Sequence, residues 1–104
     1  MSKVALFIKH SALPGKRDEL RKVWERLMRP EIVGNDAHEA YFYCYDDRDP
    51  DTVCVYQQYA DREASQAFLG KPAYAAYLRE SRPLLAREPE ITAATPVWIK
   101  SLSA

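Results

Sequence analysis

The stretch EAYFYCYDDRDPDTVCVYQQYA, residues 39–60, decides the fold. It holds two runs rich in aromatic and β-branched residues, EAYFYCYD (39–46) and TVCVYQQYA (52–60), around a polar turn, DRDPD (47–51). Short runs of this make-up, bounded by turn residues, read as strands, and two of them in succession read as a hairpin. Side chains alternate across a strand. Tyr41, Tyr43 and Tyr45 therefore point one way, and Ala40, Phe42 and Cys44 the other. On the second strand Val53, Val55, Gln57 and Tyr59 share a face, opposite Cys54, Tyr56 and Gln58. A sheet with one face in water alternates apolar with polar residues. This hairpin is apolar or aromatic on both faces, so both are expected to be covered.

Working outward, KVALFIKHS (3–11) reads as another strand, with Val4, Leu6 and Ile8 against Ala5 and Phe7. Leu13, Pro14 and Gly15 make a turn. A helix follows from about Lys16. Leu20, Val23, Trp24, Leu27 and Met28 fall on one apolar stripe, and Asp18 and Glu19 sit in the first turn, where the helix dipole favours acids. Pro30 is expected to kink or end it, and Gly34-Asn35 to stop it. After the hairpin, Asp61 can cap a second helix, DREASQAFL, with Ala64, Ala67 and Phe68 on one side. Gly70-Lys71-Pro72 interrupts it, and PAYAAYLRESRPLLA begins a fresh helix at Pro72. TPVWIKSL (95–102) is expected to be the last strand. The order βαββαβ implies an α+β, ferredoxin-like fold with a four-stranded antiparallel sheet and its helices on one face. The simplest cover for the other face is the same face of a second copy. The chain is thus expected to be a homodimer, two sheets meeting face to face as a shared α/β barrel.

The totals bound the partners. A chain of 104 residues makes one domain, 1–104, and a domain of this size buries only about 60–70% of its unfolded surface. Fifteen Lys and Arg balance fifteen Asp and Glu, which argues against nucleic acid or an anionic membrane as partner. Seven Tyr, three Phe and two Trp are a heavy aromatic load. Two cysteines, Cys44 and Cys54, are too few for a secreted disulfide scaffold, and no apolar run approaches the roughly 20 residues that span a bilayer. The first apolar run, VALFI, is too short for a signal peptide. The expected location is cytoplasmic, with buried, reduced thiols, although Cys44 and Cys54 would lie opposite each other if the hairpin turn is symmetric.

The βαββαβ order, LPGKRDEL (13–20), the hairpin running into YQQYADREASQAF (56–68), and GKPAYAAYL (70–78) resemble the antibiotic biosynthesis monooxygenase domain, a family of dimeric α/β barrels. The resemblance runs from Lys3 to Lys100. It implies oxidation of a quinol or an aromatic polyketide by O₂ with no metal or flavin, so no cofactor is expected. It also admits two alternatives: a dimeric module that binds a hydrophobic aromatic ligand without turnover, and a relative that binds or degrades haem. Where the family often has Tyr-Glu-x-Trp at the end of the hairpin, this chain has Tyr56-Gln57-Gln58-Tyr59. Where the family often has a helix-two histidine, this chain has Phe68.

Cofactor-free oxygenation needs a base, a dry aromatic pocket and donors for a developing oxyanion. His10 is the base by residue type. Alternation places it with Val4, Leu6 and Ile8, and its alternative role is a partly solvated strand-end spacer. His38, in a loop after Asn35-Asp36, is expected to be exposed. Gln57 and Tyr59 are either donors to a substrate oxygen or a mutually satisfied polar pair. Tyr43, Phe68, Tyr74, Tyr77 and Trp24 are the candidate walls of an aromatic site, and each would serve equally as core or interface. Arg79, Arg82 and Arg87 read as a solvated face. No metal-ligand spacing or Gly-rich phosphate loop occurs.

Overall fold

The computed structural model describes residues 2–100. Its elements are β1 (Val4–Ser11), α1 (Arg17–Leu27), α2 (Arg29–Val33), β2 (His38–Tyr45), β3 (Thr52–Tyr59), α3 (Arg62–Leu69), α4 (Pro72–Ser81), a 3₁₀ turn (Arg82–Leu84) and β4 (Glu90–Ala94). Each helical layer is broken at the expected punctuation. Pro30 sits in the first turn of α2, and Pro72 opens α4, where a missing N–H leaves no helical bond unmade. None of these helices is long and apolar enough to cross a membrane.

The four strands form one sheet in the order β2-β3-β1-β4, every neighbouring pair antiparallel. This is the ferredoxin-like arrangement. β1 and β3 occupy the middle and carry the core. Leu20, from the apolar stripe of α1, is fully buried with Ala12, Val53 and Val55, and a second cluster gathers Met28, Tyr59, Phe68 and Tyr77.

Two local devices fix the register. The Leu13–Lys16 turn closes with Lys16 N–H donating to the Leu13 carbonyl at 2.9 Å. Pro14 and Gly15 occupy its centre, and Gly15 takes φ +77°, the left-handed value that a type II turn demands of its third residue. Arg17, in the first turn of α1, then braces the hairpin. Its Nη1 donates to the carbonyls of Asp46, Asp49 and Thr52 at 3.2, 2.9 and 3.2 Å, and its guanidinium lies 3.8 Å from the Tyr45 ring centre.

The last strand is Glu90–Ala94 rather than 95–102. Residues 95–100 form no strand, and Ser101 and Leu102 lie outside the described residues. The register explains the shift. Ile8 faces Ile91 and Ala5 faces Ala94, so β4 stops one residue short of the start of β1. Pro96 then follows, with no N–H to extend the ladder. Val97 and Trp98 are 98% and 79% exposed.

The helix-free face has the expected character. Phe7, Tyr56 and Phe42 form a row across β1, β3 and β2, with ring centres 5.1 and 5.8 Å apart. Phe7 is 48% and Phe42 61% exposed.

Candidate active site

Between the sheet and the helices lies a cavity of about 300 Å³. Leu6, Ile8 and His10 of β1 form its floor with Gln57 and Tyr59 of β3 and Tyr41 of β2. Trp24 and Met28 from the end of α1, Phe68 and Leu69 of α3, and Tyr74, Tyr77 and Leu78 of α4 form its roof. Seven of the eight residues singled out from the sequence therefore meet here. Tyr43 does not line the cavity. It stands behind Trp24, the two rings stacked with centres 4.4 Å apart, and its hydroxyl is buried without a hydrogen-bond partner among the described residues.

The cavity has two polar poles. At one, Gln57 Oε1 accepts from Tyr59 Oη at 2.8 Å and lies 3.0 Å from His38 Nε2. Asn35 Nδ2 approaches His38 Nδ1 at 3.3 Å. Since an amide nitrogen only donates, Nδ1 accepts and the His38 proton sits on Nε2, donating to Gln57. Gln57 and Tyr59 are thus a bonded pair, and with its oxygen doubly occupied Gln57 has its Nε2 to offer a ligand. Burial lowers the His38 pKa, partly opposed by its bond to Gln57, which favours this neutral form.

His38 is not the exposed loop residue expected. It is the half-buried first residue of β2. The ladder slips between His38 and Ala40, so His38 pairs with Tyr59 while Ala40 pairs with Gln58. Strict alternation would turn His38 to the helix-free face. The bulge at Glu39 turns it back, placing its ring 4.1 Å from Tyr59 and edge-on to Phe68 at 4.6 Å, centre to centre.

His10 marks the other pole. Gln57 lies opposite Leu6, so His10, four residues further along β1, is displaced from it by about 13 Å. It is only 8% exposed, not partly solvated. Its Nδ1 has no partner among the described residues. Burial lowers its pKa to about 4, because an imidazolium would lose its hydration there. At neutral pH His10 is an unprotonated imidazole. Around this pole stand Ser81, Arg82, Leu85, Glu88, Pro89 and Ile91. From the sequence Arg82 reads as part of a solvated face and nothing points to the others, since the segment 82–89 carries no periodicity that would aim a side chain.

The phenols are not bases. Burial raises the pKa values of Tyr41, Tyr59, Tyr74 and Tyr77, so they stay protonated and donate. Tyr41 also accepts from Trp24 Nε1 at 3.0 Å, which orients the indole over the cavity.

A sequence profile described as Antibiotic biosynthesis monooxygenase matches residues 3–80. The chain belongs to this family. None of the curated proteins matches it. Solved structures share its fold. A candidate antibiotic biosynthesis monooxygenase from Chloroflexus aurantiacus is 24% identical over 98% of this chain and 100% of its own, with a TM-score of 0.82. A Nitrosomonas europaea protein of unknown function is 26% identical over 100% and 98%, with a TM-score of 0.82. Rv0793 from Mycobacterium tuberculosis is 25% identical over 96% and 100%, with a TM-score of 0.84. Within the antibiotic biosynthesis monooxygenase family match lie both His10 and Gln57. Much of the His10 pole, from Ser81 to Ile91, lies beyond it.

Proposed function

We propose that this chain is a cofactor-independent monooxygenase, acting as a homodimer on a small planar phenol, quinol or anthrone. The observation that carries the reading is a cavity walled by six aromatic side chains with a neutral histidine at one end, its Nδ1 without a partner among the described residues. An apolar cavity of about 150 Å³ accepts benzene, so about 300 Å³ suits a ligand of two or three fused rings. Family membership supports the reaction type.

In the proposed reaction His10 takes a proton from the substrate. The resulting anion is electron-rich enough to reduce O₂ by one electron, and recombination of the two radicals gives a peroxide. For a methylene flanked by aromatic rings, loss of water then leaves a ketone: CH₂ plus O₂ gives C=O plus H₂O, the substrate supplying all four electrons. The Gln57 amide N–H and the protonated Tyr41, Tyr74 and Tyr77 donate to the developing oxyanion, the Tyr59 O–H being held by Gln57 Oε1. The aromatic roof excludes water, which would quench the anion.

The same cavity supports a second reading, ligand binding without turnover. It is favoured by Gln57, which offers an amide where a carboxylate base would otherwise stand. Oxygen uptake on a panel of hydroquinones and anthrones separates the two. The monooxygenase reading expects uptake above the autoxidation rate, falling about 10²-fold or more in His10→Ala. Ligand binding with no uptake above the His10→Ala background contradicts turnover and leaves the binding module.

The dimer is supported by the Phe7-Tyr56-Phe42 row, whose two phenylalanines are exposed, and by a formal charge of zero, which leaves no net repulsion between copies.

A further inference from the structure

The register of the β2–β3 hairpin sets Cys44 directly opposite Cys54. The pairing type follows from its neighbour. Asp46 N–H donates to the Thr52 carbonyl at 3.1 Å, so Asp46 and Thr52 are a hydrogen-bonded pair. Cys44 and Cys54 lie two residues further along each strand and are therefore the same kind of pair. The Cα atoms of such a pair are about 5.5 Å apart, inside the span of about 4.4–6.8 Å that a disulfide bridges. Both side chains are on the helix-free face, since Val53 and Val55 point into the core. Both thiols are free, Cys44 exposed and Cys54 half-buried.

We propose that Cys44 and Cys54 form a reversible cross-strand disulfide, a redox site separate from the cavity and independent of the function proposed for it. The oxidant class is a small-molecule disulfide. The Cys44 thiolate, the more accessible, attacks one of its sulfurs and expels one small thiolate. The Cys54 thiolate then attacks Cys44 Sγ and expels the second. Two protein thiols lose two protons and two electrons, and one small disulfide becomes two small thiols. Facing Cβ atoms on paired strands stand about 4.5–5.5 Å apart, whereas a disulfide holds them near 3.8 Å. Closing the bond therefore tilts the two Cβ atoms toward each other, away from their relaxed direction on the strands. That strain makes the bond easy to reduce, which is the behaviour of a switch rather than a staple.

The test uses the full chain in dilute solution, where face-to-face pairing least shields the thiols. It is equilibrated with mixtures of reduced and oxidised glutathione, acid-quenched, alkylated and weighed intact. The expected result is a single two-electron step from doubly alkylated chain to unalkylated chain, reversed by adding reduced glutathione. Cys54→Ser is expected to stop at a glutathione adduct on Cys44, and Cys44→Ser to acquire its adduct more slowly. Retention of both alkylations in excess oxidised glutathione, or a disulfide found only between chains on a non-reducing gel, overturns the proposal. Equal adduct rates in the two variants overturn the assignment of Cys44 as the first to react. Each variant's circular dichroism spectrum is matched to the parent first. If both serine variants unfold, oxidation of the native chain alone still decides the bond.

Discussion

His10 ties the site to the stability of the whole chain. Its folded pKa is about 4, against 6.5 for the ordinary side chain. Between those values the unfolded chain binds one more proton than the folded one. Stability therefore falls as pH drops from about 6.5 toward 4, and it gains nothing from this group above 6.5. The full difference is about 3 kcal/mol. Urea unfolding at pH 7 and pH 4.5 checks this: His10→Leu is expected to flatten the dependence by most of that amount, and the His38 contribution, of the same sign, remains. An unchanged slope in His10→Leu contradicts a buried neutral imidazole. If His10 is the base of the proposed oxygenation, the acid limb of kcat/KM is expected near pH 4, where a solvated histidine would place it near 6.5. At the other pole, Tyr59→Phe removes one of the two donors to Gln57 Oε1 and is expected to cost about 1 kcal/mol in chemical denaturation. A loss far larger than that would mean that Tyr59 Oη holds more than Gln57.

At the scale of elements, side-chain braces outside the core hold the layers in place. Arg17 links the start of α1 to three carbonyls of the hairpin turn. Arg17→Met keeps the aliphatic stem and leaves those carbonyls to water. It is expected to cost about 2 kcal/mol, read as a lower urea midpoint with the slope unchanged. Asp61 caps α3, its Oδ1 accepting from Ala64 N–H at 2.8 Å, and Asp61→Ala is expected to cost about 1 kcal/mol. Both the cap and the Pro-Gly turn, though not its type, were legible in the sequence because each rests on residues at fixed local offsets. The hairpin and the face of every central strand were legible too, from period-two alternation. His38 and β4 were not. The bulge that re-aims His38 inserts one residue into the ladder, and no residue type announces it. The end of β4 depends on where β1 runs out, a partner far away in sequence, while Val97, Trp98 and Ile99 have strand-like composition but pair with no strand among the described residues. Ser81, Arg82 and Glu88 reach the cavity through a turn of fixed path but no repeat.

For the whole molecule, the sheet divides two tasks between its faces. The helix-covered face encloses the cavity. The bare face carries Phe7, Tyr56, Phe42 and the cysteine pair. A monomer would leave that aromatic surface in water, at about 25 cal/mol for each Å² that a partner could cover. The proposed pairing through this face would account for a hairpin that is apolar on both sides. Sedimentation equilibrium tests it most directly, on the parent chain and on Phe42→Glu, whose new charge would lie in the middle of the interface. A dimer at micromolar concentration that dissociates in Phe42→Glu, with an unchanged circular dichroism spectrum, is the expected result. A parent chain that stays monomeric across that range, or a dimer indifferent to Phe42→Glu, contradicts it.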